Sequence, residues 1–282
     1  MVTVQSLFGC LAILLPVMWL ELPSGVSLRL TAPADKTSVS LSDGSHRQIV
    51  DARFAPYSAI GKFKGTMTCT AAMILDPRII VTAAHCIMER DGTIGRSNFT
   101  FQPGYQVGSN SAKFDATVRA VGSRQNVGHE TVRDAARDWA ILVLDRAPSG
   151  VQPFVLSRYS IGTLELAGLQ LQLPAYTDDV AHAEALSVDT ACAVRELVWD
   201  TLIHNCTAGR GSSGAPLLVR EEHGYAIIGI QAASIFEGDQ SGHIARFAGN
   251  QAIGSWMFMK AALALSRQLN TESVTTVNSA DY

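Results

Sequence analysis

Charge is sparse in this chain. Asp, Glu, Lys and Arg make up 17% of 282 residues, the net charge is −3, and both signs are scattered along the sequence. No long basic run occurs, so a nucleic-acid partner has no electrostatic footprint here. Cysteine is scarce as well. There are five, and none forms a Cys-x-x-Cys pair, which argues against zinc and dithiol redox chemistry. His46, His129, His182, His204, His223 and His243 lack metal-ligand spacing and read as surface or loop residues. No metal and no cofactor is therefore expected. Internal repeats and low-complexity tracts are missing too, so array architectures drop out. Long apolar runs are limited to one, residues 7–20, broken by Gly9 and Pro16. It is too short to span a bilayer comfortably and has the length of a signal-peptide apolar region. Gly25 and Ser27 suit a cleavage site after Ser27, although Met1 to Ser6 carries no Lys or Arg. Residues 1–27 thus read as a signal peptide, the alternative being a retained anchor. The protein is expected to be secreted, extracellular or periplasmic, with no stable membrane association after cleavage.

What remains is ordinary globular material. The apolar share of 47% is enough for a sizeable core. Residues 28–47 are rich in Ser, Thr, Asp and Ala without apolar periodicity, and read as a propeptide or linker. Short apolar segments then alternate with Gly, Pro, Asp and Asn turns: 57–63, 66–75, 79–83, 99–107, 116–121 and 139–144. A polar break at 145–150 precedes a second set at 164–173, 192–199, 216–219 and 225–232. This rhythm predicts an all-β barrel or sandwich. Residues 253–269 carry apolar side chains at near-helical spacing and predict a terminal helix; residues 270–282 form a polar, frayed tail.

Three local patterns carry chemistry. Thr82-Ala83-Ala84-His85-Cys86 follows a buried-type strand, and its small alanines let the backbone pack while the imidazole faces a cleft. Asp138 heads the apolar run Trp139-Ala140-Ile141-Leu142, where a partly buried carboxylate needs a hydrogen-bond partner. Gly211-Ser212-Ser213-Gly214-Ala215-Pro216-Leu217 is a glycine-flanked turn leading into a return strand. In the order His, Asp, Ser these are a base, an orienting carboxylate and a nucleophile, the parts needed to hydrolyse an acyl bond.

On these motifs, residues 48 to 260 resemble the chymotrypsin-like (trypsin-like) serine proteases. The resemblance implies two six-stranded antiparallel β-barrels packed together with a C-terminal α-helix, barrel one at about 49–145 and barrel two at about 150–250. The protease domain then spans 48–265. It implies catalytic His85, Asp138 and Ser213. Gly214 and Pro216 select Ser213 over Ser212, because the family pattern is Gly-x-Ser-Gly-x-Pro. The N–H groups of Gly211 and Ser213 would form the oxyanion hole. Of the three pairings open to Cys69, Cys86, Cys192 and Cys206, Cys69–Cys86 and Cys192–Cys206 keep each bond within one half of the chain. The first of these matches the disulfide beside the family's catalytic His. Each closes a loop of about 15 residues, worth roughly 3 kcal/mol in the chain-entropy model.

Details resemble the bacterial glutamyl-endopeptidase-like branch: Pro56-Tyr57-Ser58-Ala59-Ile60-Gly61, Ala175-Tyr176-Thr177-Asp178-Asp179, and Ile228-Gly229-Ile230-Gln231. That branch has a His for acidic side chains where this chain has Gln231, and trypsin-like specificity needs an Asp at the place of Thr207. Thr207, Ala208, Gln231 and Ala233 therefore imply an uncharged or weakly polar pocket, with Arg210 at its rim or simply solvated. Many family members also carry an Asp before the nucleophile that pairs with a new N-terminal amine; here it is Ser212. Either a zymogen anchors its N-terminus differently, with cleavage near residue 47, or the site is preformed. The expectation is a monomeric serine endopeptidase acting on polypeptides. The alternatives are a catalytically silent homologue that binds partners, and an esterase using the same triad.

Overall fold

The computed structural model describes residues 46–96, 98–109, 111–122, 136–157, 159, 169–237 and 246–279, with 236–237, 246–248 and 273–279 described by backbone alone. The expected signal peptide, the linker up to residue 45, His129 and His243 lie outside the described residues.

The first six segments of the chain are short because each crosses a small closed barrel once. Strand β1 (Arg47–Ile49) comes first and belongs elsewhere. The barrel itself is β2 (Ile60–Lys64), β3 (Thr68–Met73), β4 (Ile79–Thr82), β5 (Phe99–Pro103), β6 (Phe114–Val121) and β7 (Ala140–Leu144), closing in the order β2-β3-β4-β7-β6-β5. Strands β4 and β7 are buried at every position. The apolar runs at residues 79–81 of β4 and Ala140–Leu144 of β7 match that burial, since one face fills the barrel and the other is covered. Strand β6 instead begins by alternating buried Phe114 and Ala116 with exposed Asp115 and Thr117, the pattern of a strand with one wet face.

The two-residue strand β8 (Val155–Leu156) follows the polar connector and runs parallel to β13. The second barrel is β9 (Gln170–Ala175), β10 (Ser187–Val198), β11 (Thr201–His204), β12 (Pro216–Glu221), β13 (Gly224–Glu237) and β14 (Arg246–Gly254). It runs β10-β11-β14-β13-β12-β9 and closes by pairing of β9 with β10. One core cluster joins the first barrel to Leu218, Ile227, Ile230 and Ile253 of the second and to Phe258, Ala262 and Leu269 of the helix α1 (Trp256–Ser279). The Trp139 and Phe258 rings lie 6.2 Å apart. Among the described residues no helix is long and apolar enough to cross a membrane.

Two boundaries move. Ile253 and Gly254, expected in the helix, end β14 and pair with Thr201 and Gly229. The helix then continues to Ser279, because no Gly or Pro interrupts it beyond residue 256. The side chains of Gln268 and Thr271 reach Glu272 and the Arg267 carbonyl at 2.9 Å in that stretch. At the other end, Arg47 is not part of a loose linker. It sits in β1, which pairs with β10 through Arg47↔Asp189, Gln48↔Val188 and Ile49↔Ser187, and its side chain is 1% exposed.

Candidate active site

His85 is held from both sides of its own backbone. It sits in a 3-10 turn, Ala84–Cys86, directly after β4. The Cys69–Cys86 disulfide ties that turn to β3, and Cys192–Cys206 ties β10 to the end of β11, both as expected. Asp138, just before β7, grips the turn three times. Its Oδ1 accepts the His85 backbone N–H at 2.8 Å, its Oδ2 accepts the ring Nδ1–H at 2.6 Å, and its carbonyl accepts the Ala84 N–H at 3.2 Å. A carboxylate only 8% exposed is costly unless such donors satisfy it. The arrangement leaves Nε2 of His85 as the ring's basic nitrogen.

Ser213 stands on the loop before β12, and the first barrel holds that loop through Thr70 on β3. Thr70 donates its N–H to the Ser213 carbonyl at 3.0 Å and its hydroxyl to the Gly211 carbonyl at 2.9 Å. The same hydroxyl accepts the Tyr176 N–H at 3.0 Å, and the Thr70 carbonyl accepts the Thr82 hydroxyl at 2.8 Å. Two glycines make this contact sterically feasible. A Cβ on Gly214 would lie 2.1 Å from Thr82 Oγ1 and 2.4 Å from the Thr70 carbonyl, and one on Gly211 would lie 2.2 Å from the Tyr176 carbonyl. Both also have positive φ, +77° and +93°. With their carbonyls turned to Thr70, the Gly211 and Ser213 N–H groups have no intramolecular partner among the described residues. Ser212, by contrast, is buried, and its hydroxyl donates to the Gly209 carbonyl at 2.6 Å. The sulfurs of Cys69 and Cys86 lie beside His85 but are joined in the disulfide.

The expected pocket residues divide. Thr207, Ala208 and Ala233 are half-buried, Gln231 is buried, and Arg210 is exposed. Gln231 is committed inward: its amide donates to the Ala233 carbonyl at 2.9 Å and its Oε1 meets His204 Nε2 at 2.8 Å. His204 was expected at the surface or in a loop, yet β11 buries it completely. Its Nδ1 accepts the Cys206 N–H at 3.3 Å, so Nε2 carries the proton donated to Gln231. Sequence reasoning also misses Thr70, Arg47 and Asp189. A lone Thr in an apolar strand carries no signal, nor does an Arg in a three-residue strand. A cavity of about 640 Å³ between Pro56, Pro153, Val155, Glu221 and Tyr225 includes none of these residues.

Burial lowers the His204 pKa from 6.5 to about 4. The folded protein therefore binds fewer protons than the unfolded chain between those values. The stability tied to neutral His204 is complete above pH 6.5 and is lost as pH falls towards 4, at about 1.4 kcal/mol per pH unit. Urea unfolding from pH 7 to 4 is expected to show this loss. His204→Gln, which keeps a donor for Gln231, is expected to flatten it; an equally steep decline in that variant contradicts the assignment.

The trypsin family model matches residues 44–257. No curated protein matches the chain in sequence. Many solved structures share the fold, three of them as follows. A Glu endopeptidase in complex with MPD is 19% identical, with a TM-score of 0.61 over 79% of this chain and 97% of its own. The protease Anisep from Arthrobacter nicotinovorans is 17% identical, at 0.53 over 74% and 93%. The thermostable serine protease AL20 from an extremophilic microorganism is 18% identical, at 0.51 over 70% and 91%. With two closed barrels and a family match over most of its length, this chain belongs to the trypsin family of serine endopeptidases.

Proposed function

We propose that the protein is a secreted endopeptidase that cleaves peptide bonds through an acyl-enzyme on Ser213. The observation that carries this reading is the grip of Asp138 on both the backbone and the ring of His85. It is joined by the bonds from Thr70, neighbour of the disulfide-bonded Cys69, to Gly211 and Ser213. In the first half-reaction the Ser213 Oγ attacks the scissile carbonyl while His85 Nε2 takes the hydroxyl proton. The C–N bond then breaks as His85 returns that proton to the leaving amine. Water attacks the ester in the second half-reaction, again with His85 as base, and releases the acid and free Ser213. Through both halves the Gly211 and Ser213 N–H groups hold the oxyanion, each such donor worth roughly 3 to 4 kcal/mol of barrier. The pocket takes uncharged or weakly polar side chains, because the Gln231 amide is spent on His204 and Ala233 and His204 is neutral. Two disulfides fit an oxidising compartment.

Fluorophosphonate labelling with mass spectrometry of the labelled peptide tests this. The label is expected on Ser213, absent in Ser213→Ala and lost with His85→Ala. A folded, disulfide-bonded chain that takes no label would instead be a silent homologue that binds partners.

A further inference from the structure

Arg47 is the one buried cation among the described residues, and it is spent on backbone. Its Nε donates to Ser187 Oγ at 2.9 Å, and Nη2 donates to the carbonyls of Ser187, Leu173 and Ala175 at 2.5, 3.2 and 3.5 Å. These bonds fix the guanidinium between β9 and β10. Nη1 reaches out of that frame to the Thr207 carbonyl at 2.6 Å. Asp189, the register partner of Arg47 across β1 and β10, takes the other side of the same residue: its Oδ2 accepts the Thr207 N–H at 2.7 Å. Thr207 is thus clamped at both its N–H and its C=O by one buried cation and one buried anion. Asp189 and Asp179 offset part of the desolvation of the guanidinium, whose pKa falls only to about 10. It therefore stays charged at neutral pH.

Thr207 opens the segment that carries the pocket wall, the oxyanion N–H groups and the nucleophile. Every later fastening in it is light. The Gly209 carbonyl is taken by Ser212, the Arg210 carbonyl by the Asp178 N–H, and the Gly211 and Ser213 carbonyls by Thr70. In this segment only the clamp on Thr207, by Arg47 and Asp189, is charge-assisted, the stronger class of hydrogen bond. Ser212 is neutral and satisfied within the loop, so it offers no counter-charge to a chain terminus.

We propose that Arg47 is a positioning residue for the 207–213 segment, so that the working enzyme retains Arg47 inside its chain and cleavage at Arg47–Gln48 inactivates it. The inference rests on the proteolytic reading above. Losing the guanidinium leaves the carbonyls of Thr207, Leu173, Ala175 and Ser187 short of a buried donor, and the segment relaxes where the transition state needs it most. The effect falls mainly on kcat, because the oxyanion donors act only as charge develops.

The test uses the full chain. Arg47→Met is expected to lower kcat per labelled site roughly tenfold or more, the scale of one lost charge-assisted bond, at temperatures where unfolding curves show the variant fully folded. KM is expected to move much less. Arg47→Lys, which restores the charge but not the fork, is expected to recover part of the rate. A folded Arg47→Met enzyme with unchanged kcat overturns the proposal. If Arg47→Met does not fold, the N-terminus of fluorophosphonate-labelled wild-type protein decides instead. Every labelled chain is expected to begin at or before Arg47, and labelled chains beginning at Gln48 or later overturn the assignment. Folded wild-type protein that takes no label overturns the proteolytic reading, and this inference with it.

Discussion

Ser213→Ala is expected to lower kcat roughly a million-fold, and adding His85→Ala to it is expected to cost almost nothing more. The reason is that the two residues act as one device: a base with no hydroxyl to deprotonate contributes no more than a hydroxyl with no base. The adjacent Ser212→Ala is the internal control. Its hydroxyl donates to the Gly209 carbonyl and its side chain is buried, so its removal costs about 1 kcal/mol of stability and leaves most of the activity. Turnover of a peptide substrate by the three variants, normalised to folded protein, checks this. An inactive Ser212→Ala enzyme, with Ser213→Ala still turning over, reverses the assignment of the nucleophile.

Asp138→Asn is expected to lower kcat about 10⁴-fold, as the same exchange does in a related triad, with little change in melting temperature because the two side chains share a shape. The sign of the effect follows from the two bonds that Asp138 makes. The His85 backbone N–H needs an acceptor and sits 2.8 Å from Oδ1, so an Asn there keeps its carbonyl oxygen on that side. The amide NH2 then faces the ring nitrogen that Asp138 now meets at 2.6 Å. Two donors cannot share a hydrogen bond, so the ring gives up its Nδ1 proton and carries it on Nε2 instead. The nitrogen that should accept the Ser213 proton becomes a donor. A tautomer-sensitive nitrogen NMR measurement on His85 is expected to show the proton moving from Nδ1 to Nε2. An unchanged tautomer with full activity would remove Asp138 from the mechanism.

The motifs of the proposed triad could be picked out because their signals are local. Five residues around His85, five beginning at Asp138 and seven around Ser213 each carry a short-range pattern. The first barrel was legible for a similar reason, since β4 is apolar up to Thr82, β7 is apolar throughout and β6 alternates at its start. The second barrel was harder. Strand β14 reads Arg-Phe-Ala-Gly-Asn-Gln-Ala-Ile-Gly, and β11 has only four residues ending in a His. Their strand character comes from pairing with each other and with β10 and β13 on either side, not from their own side chains. Thr70 and Arg47 were illegible for a stronger reason. The partners of their side chains lie more than 100 positions away, and most of those partners are backbone carbonyls or N–H groups. A carbonyl is present whatever residue bears it, so the sequence at those positions holds no trace of the contact.

That property has a bearing on ancestry. The joint between the two barrels relies on main-chain atoms: Thr70 N–H to the Ser213 carbonyl, Val107 N–H to the Glu184 carbonyl, and the Tyr105 carbonyl taken by the Tyr176 hydroxyl. Main-chain atoms do not mutate. Most surrounding side chains can therefore drift over long descent while the joint keeps its dimensions, and only the few positions that lack room for a Cβ, Gly211 and Gly214 above all, are held to one residue type. Solved relatives that share this fold at 17–19% identity are what such a joint permits.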